Sequence, residues 1–345
     1  MRDFRTKYIY FLSALIFLTG LGLLFWFGWE YFSLRIGTKA IVNFTNIEKR
    51  EECEFRRVLD GVCVKTAKEM NPRLISIMID NHPEALPQAG LDKANIVYEV
   101  PVEGSFTRFM AIFQVDAEVK KVGPVRSARP YYLDWLQEFG NPLYLHVGGS
   151  PEALDLIKQK NILDYNEFYN GAFYWRDSQR AAPHNVFTDS SRWQKIWDSN
   201  SARPAVNYYG WIFSTSSDYN FTGQEQNGAE IIMPFNSKYT VEWHYATSTS
   251  QFERWQYGEA HKMENGAGIL ADTVIVQEVS VKVIDEEGRK EINTVDGGKA
   301  LVGIEGRVIV GFWGNGVDGR TRFYNDQNEE IKLKPGKIWV EIVSS

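Results

Sequence analysis

Leu74-Ile75-Ser76-Ile77-Met78-Ile79, closed by Asp80-Asn81-His82-Pro83, is the stretch on which the fold turns. It is apolar, of strand length, and stopped by residues that favour a turn. Three similar runs follow. They are Ala94 to Val100, Arg108 to Val115, and Leu143 to Val147, the last ending in Gly148-Gly149-Ser150-Pro151. Helical patterns lie between and after them. Pro130 to Phe139 places Leu133, Leu136 and Phe139 at helical spacing. Pro151 to Lys160 starts with Ser150 as N-cap and Pro151 in the first turn, and Ser190 to Trp197 is a further short helix. Strands alternating with helices predict a layered α/β domain over residues 71–205.

Downstream the pattern changes. Residues 206–228 lack a clear period and read as a linker or long loop. Beyond them the period is two: Tyr239, Val241, Trp243 and Tyr245 alternate with polar residues. Turn signals at Asp285-Glu286-Glu287-Gly288, Asp296-Gly297-Gly298, Gly314-Asn315-Gly316 and Pro335-Gly336 separate more strand-like runs. Residues 229–345 are therefore expected to form a smaller, β-rich C-terminal domain.

Upstream, Tyr8 to Trp29 contains no charged residue and follows Arg2, Arg5 and Lys7. A helix of that length spans roughly 33 Å, enough for a bilayer core of about 30 Å. Aromatic residues near both ends suit the headgroup level. The expectation is a single transmembrane helix over 8–29 in the plasma membrane, with residues 1–7 cytoplasmic and the bulk of the chain extracytoplasmic. A cleaved signal peptide fits less well, because the run is long and Phe25-Trp26-Phe27 is a poor cleavage site. Residues 30–70 read as a juxtamembrane segment. It carries both cysteines of the chain, Cys53 and Cys63, around an Asp60-Gly61 turn. A disulfide there fits an oxidising compartment.

The formal charge of −6 argues against a general nucleic-acid binder. With 44% hydrophobic residues, the chain can build ordinary cores. Candidate functional residues crowd into the α/β half, at strand ends and the loops after them. Glu103 and Arg108 flank Gly104. Arg126 and Arg129 lie three apart before the Pro130 helix. His146 precedes Gly148-Gly149, and His184-Asn185 follows Pro183. Arginine forks suit phosphate or carboxylate, and a helix start adds backbone donors. The other role open to Arg126 and Arg129 is structural pairing with Glu99, Glu103 or Asp134. No HxxxH or His-x-His spacing occurs, so neither a metal site nor a cofactor is expected. Ser127 and Ser150 lack the G-x-S-x-G elbow of a serine hydrolase.

Several blocks taken together carry a resemblance. They are Asn81-His82-Pro83, Pro87-Gln88-Ala89-Gly90-Leu91, Ile96-Val97-Tyr98-Glu99, Val102-Glu103-Gly104, Thr107-Arg108-Phe109-Met110-Ala111, Gly123 to Arg129, His146 to Ser150, and Ala182-Pro183-His184-Asn185. The chain resembles the YerB-like family of bacterial envelope proteins over residues 72–343, most densely over 72–190. The resemblance implies an N-terminal α/β domain and a C-terminal domain, often on a lipoprotein, and no defined activity. This chain lacks the lipobox Cys, and it has Ser105-Phe106 where the family usually reads Gly-Ile. In outline, the anchored α/β domain with an arginine loop is also similar to LytR–CpsA–Psr envelope transferases, which act on polyprenyl pyrophosphate carriers. The expected partners are the membrane and an anionic wall polymer, a lipid-linked precursor or another envelope protein. The expected function is binding of such a wall-associated ligand or partner. The alternative is a transferase or hydrolase acting on phosphate-linked or glycan wall precursors.

Overall fold

The computed structural model describes residues 17–28, 53–200, 207–215, 219, 225–227, 229–236 and 239–345. The described residues fall into two units, the first within 1–52 and the second within Cys53–Ser345. In the first unit the described part is a helix over 17–28, whose Leu24, Phe25 and Phe27 are exposed. Among the described residues no helix is long and apolar enough to cross a membrane. Residues 8–16 and Trp29 of the expected span lie outside the described residues, as do residues 1–7 and 30–52.

In the second unit the predicted strands form at nearly the predicted places. They are β1 (Leu74–Asp80), β2 (Ile96–Pro101), β3 (Thr107–Gln114) and β4 (Leu143–His146); a short further strand, β5 (Asp164–Asn166), was not expected from the sequence. The helices are α1 (Pro130–Gln137), α2 (Pro151–Gln159) and α3 (Ser190–Ser199). Ser150 and Asp189 cap α2 and α3 through side-chain oxygens that accept from backbone N–H groups. The second half contributes β6 (Glu225–Asn227), β7 (Glu230–Asn236), β8 (Tyr239–Ala246), β9 (Gln251–Gln256), β10 (Glu259–Ala260), β11 (Leu270–Ala271), β12 (Thr273–Val279), β13 (Gly298–Ile304), β14 (Arg307–Asn315), β15 (Thr321–Asn325) and β16 (Ile338–Ser344).

One sheet runs through both halves, in the order β6-β14-β13-β12-β16-β2-β3-β1-β4-β5, with β15 on β14. The junction is the parallel pairing of β16 with β2, which sets Glu341 opposite Glu99. The last strand of the chain is thus the neighbour of one of the first. Side-chain alternation then builds two cores. Met78, Tyr98, Met110 and Ile112 face α1, whose Tyr132, Trp135 and Leu136 are buried on that side. Ile77, Ile79, Val97, Phe109 and Phe113 face the other way. There they meet Trp193 and Ile196 of α3, together with Trp243 and Phe252 of a second sheet, β7-β8-β9-β10 with β11 on β9. Coverage on both faces explains why β1 is buried along its whole length and carries a continuous apolar run.

The Cys53–Cys63 disulfide is formed across a short antiparallel ribbon, Phe55–Arg56 with Cys63–Val64. Residues 53–70 pack on the body and are no free spacer. Leu59 and Asp60 are buried, and Val58 N–H donates to Met70 O. Residues 207–215 likewise lie against the second half, where Trp211 Nε1 donates to Thr321 O.

Candidate functional site

The carboxyl ends of β1, β2 and β4 and the start of β3 meet at one edge of the sheet. Ligands bind in this position in layered α/β folds. A cleft of about 590 Å³ opens there, and Asp80, Glu103, Arg108, Arg126, Arg129 and His184 are among its lining residues. The Gly148-Gly149 turn brings α2 to its edge. Gly148 has a φ of +60°, and a side chain there would strike Phe168.

Each arginine is held differently. Arg129 makes a two-pronged pair with Glu103, with Nε at 2.5 Å and Nη2 at 2.8 Å. Burial alone would raise the Glu103 pKa. The Arg129 fork and its charge outweigh burial and hold the carboxyl below its usual value. Arg126 Nε lies 3.0 Å from Asp80 Oδ2, an ionic contact whose angle is too poor for a hydrogen bond. Arg108 is 6% exposed and, among the described residues, makes no ion pair, although Asp80 stands opposite it on β1. Its Nη1 donates to Ser127 O at 2.8 Å, and its buried Nε has no hydrogen-bond partner. Burial pulls its pKa down, and neighbouring Arg129 adds to the effect. The structural partners of Arg126 and Arg129 are therefore Asp80 and Glu103, not Glu99 or Asp134.

His184 comes from the 182–185 loop. Its Nδ1 lies 2.7 Å from Asp80 Oδ2, and its ring stacks on His82 at 4.8 Å between centroids. Phe106 stands edge-on to His82 at 4.3 Å. The loop before Arg108 is left-handed at both Gly104 and Ser105, with φ of +68° and +64°.

Five of the seven expected ligand residues, Glu103, Arg108, Arg126, Arg129 and His184, line this cleft. His146 and Asn185 do not. His146 is fully buried behind the Gly148 turn, with its ring nitrogens against Gly148 O at 2.6 Å and Asp164 Oδ1 at 2.5 Å. Asn185 Oδ1 accepts from Arg176 Nη1, and its carbonyl from Asp177 N–H, so it braces a neighbouring loop. Strand-end position marks both residues equally well in the sequence, but only packing shows which way a side chain turns. Asp80 and His82, which stand out in the sequence as polar residues at a strand end but were not placed in the expected ligand set, also line the cleft; Phe106, and Glu287 and Arg289 from the second half, were missed. Asp80-Asn81-His82 did carry a signal, since it ends a strand. Glu287 and Arg289 looked only like a turn.

The description "Protein of unknown function (DUF3048)" matches this chain twice, by its N-terminal domain over residues 59–204 and by its C-terminal domain over 231–340. YerB of Bacillus subtilis (strain 168), a candidate lipoprotein by its name, is 31% identical over 284 residues, 81% of this chain and 84% of that protein. This chain belongs to the YerB-like DUF3048 family. The crystal structure of YerB from Bacillus subtilis matches with a TM-score of 0.72 at 29% identity, covering 84% of this chain and 97% of that one. A weaker similarity, 23% over 211 residues, is to an anhydrosialidase of Macrobdella decora. It covers 55% of this chain and 27% of that protein. The first DUF3048 region supplies most of the cleft, including every one of its candidate anion-binding arginines, while Glu287 and Arg289 come from the second.

Proposed function

We propose that this DUF3048 protein is an envelope protein that binds an anionic wall-associated ligand in the arginine cleft. The observation that carries this reading is Arg108. A nearly buried guanidinium with no ion pair among the described residues and an unspent Nε is costly to keep, and an incoming phosphate or carboxylate supplies charge-assisted bonds. Arg126 and Arg129 flank it with donors beyond those their acidic partners use. The apolar segment 8–29 anchors the chain in the membrane. The relation to YerB and the exposed apolar side chains of the 17–28 helix support that assignment.

The test is titration of the full-length chain with a polyprenyl phosphate and with phosphate-bearing wall polymer. Arg108→Gln is expected to weaken binding about ten- to a hundredfold, the range for one charge-assisted contact. Equal affinity in the variant, or no binding in the wild type, sinks the reading. For topology, external protease applied to spheroplasts is expected to digest residues 53–345.

A transferase or hydrolase acting on phosphate-linked precursors is the alternative. One observation favours it: Asp80 orients the His184 ring in the same cleft as the arginines, an arrangement suited to general-base work. Turnover of a wall precursor that is lost in His184→Gln while binding persists would establish that reading.

A further inference from the structure

We propose that His82, Glu84 and His184 bind one borderline divalent cation, of the Zn²⁺ or Co²⁺ class, at the rim of the cleft. The three residues each offer a ligand atom, all within 4.8 Å of one another. Two imidazoles and a carboxylate make a donor set suited to such ions, with positions left over for a substrate or water. No motif announces the set, because His184 arrives from a loop about a hundred residues downstream of His82.

The orientation of His184 is the main argument. Asp80 Oδ2 sits 2.7 Å from its Nδ1 and holds the ring so that Nε2 turns toward Glu84. Nε2 lies 3.4 Å from Glu84 Oε2. A ring nitrogen and a carboxylate oxygen converge there, and a cation between them takes the place that a proton fills without it. A carboxylate on the far nitrogen is also the usual support of a metal-bound imidazole.

The remaining ligands need small adjustments. Donors about 2.0–2.2 Å from an ion must lie within roughly 4.2 Å of each other. Glu84 can close the gap, because its side chain is 72% exposed. His82 Nδ1 now accepts the Glu84 N–H at 3.2 Å, and coordination through Nδ1 replaces that one long cap bond. The opposing charges are Arg126, offset by its pairing with Asp80, and Arg180, whose guanidinium donates to Ala85 O and Pro87 O.

The test uses the full-length chain, stripped with a chelator and titrated with Co²⁺ and then with Zn²⁺. One equivalent of Co²⁺ is expected to bind, with a visible d–d band that Zn²⁺ abolishes. Glu84→Gln changes only an exposed side chain and is expected to weaken the ion at least tenfold without shifting the melting temperature of the metal-free protein. Asp80→Asn is expected to weaken it about ten- to a hundredfold. The His82→Ala/His184→Ala double variant is expected to abolish it. Absence of the band in the wild type overturns the assignment. So does a band unchanged in Glu84→Gln, which would place the ion elsewhere, as at the surface His244 between Glu230 and Glu242. If the double variant does not fold, the wild type and Glu84→Gln decide. Arg108→Gln leaves Co²⁺ binding intact, so failure of the anion reading and failure of the metal site are separable.

Discussion

The arginines of the cleft and the one arginine buried between the two sheets are held on opposite principles. In the cleft, Arg126 and Arg129 spend part of their donors on acids and Arg108 spends none. Between the two sheets, Arg254 is fully buried and almost completely used. Its Nη2 donates to Glu99 Oε2 at 2.5 Å and to Tyr239 OH at 2.9 Å, and its Nη1 donates to Gln256 Oε1. Phe109 and Trp339 lie against its guanidinium. Glu99 in turn accepts from Thr107 and Asn81, while Trp243 Nε1 donates to Glu341. The network joins strands of both halves. Charge alone therefore does not mark a binding site. What separates the two regions is where the unused donors lie: nearly nowhere in the network, and at the cleft wall in the other.

The largest expected effect tests the buried side. Arg254→Ala leaves the Glu99 carboxylate, with Glu341 beside it, in an apolar interior without its cation. Breaking such a pair costs about 3–5 kcal/mol. Chemical denaturation should show that loss. Arg108→Gln, which removes a charge that makes no ion pair among the described residues, should move stability by no more than about 1 kcal/mol. Equal losses from the two substitutions would erase the distinction between the regions.

A second contrast lies inside the cleft. Arg129→Ala removes a half-buried two-pronged pair, and Arg126→Ala removes a poorly aligned one. Stability should fall further for Arg129→Ala, by about 1–2 kcal/mol, the scale of a hydrogen bond to a charged group. Glu103 also supplies a pH signature. Its folded pKa lies below its unfolded value, so its contribution is present above about pH 4.5 and is lost as pH falls through the folded value. In Arg129→Ala that part of the acid limb should disappear. An acid limb identical to wild type would assign the stabilisation to other groups.

Much of this architecture is legible in the chain, for identifiable reasons. Runs such as Leu74–Ile79 and the period-two pattern of Tyr239 to Tyr245 form strands because both signals are local. The joining of the halves is not local. It depends on β16 pairing with β2 across more than two hundred residues, and neither run carries a mark of its partner. The cleft divides in the same way. Arg108, Arg126 and Arg129 stand at strand and helix ends and can be found there. His146 has the same sequence position but turns inward, because Asp164 and Gly148 hold its ring. Arg254 and Gln256 were hidden for the converse reason, since polar residues on the Phe252 face of β9 read as solvent-facing until the large sheet covers them.

The third prediction turns on His261, which closes the buried network. Its ring nitrogens lie against Arg254 Nη1 and Gln88 Oε1. Burial, with the Arg254 charge adding to it, holds its pKa well below the usual value. The unfolded chain therefore binds a proton that the folded one refuses. Stability is full above about pH 6.5 and falls as pH drops below it, by up to about 1.4 kcal/mol per unit. Glu341 acts in the opposite sense. Its burial near Glu99 raises its pKa, so the folded form keeps a proton as pH rises past about 4.5. Stability measured from pH 7 to 5 should show the His261 slope, and His261→Gln should flatten it. A slope unchanged in that variant would move the acid sensitivity out of the network.

The smallest expected effect returns to the cleft wall. Ser105 adopts φ +64°, a left-handed conformation that costs a side-chain-bearing residue energy and costs glycine almost none. Its carbonyl accepts from Asn236 Nδ2 at 2.7 Å, so the loop is tied to the second half through backbone rather than through the Ser side chain. Ser105→Gly keeps that bond and relieves the backbone, while adding some freedom to the unfolded chain. The net expectation is a gain of about 0.5 kcal/mol, read as a small rise in melting temperature. Affinity for an anionic ligand should stay within about twofold, because Arg108 lies on the rigid strand after the loop. A larger loss of affinity would show that the strained turn sets the position of Phe106 and Arg108, and that the cleft, like the buried network, depends on a fixed frame.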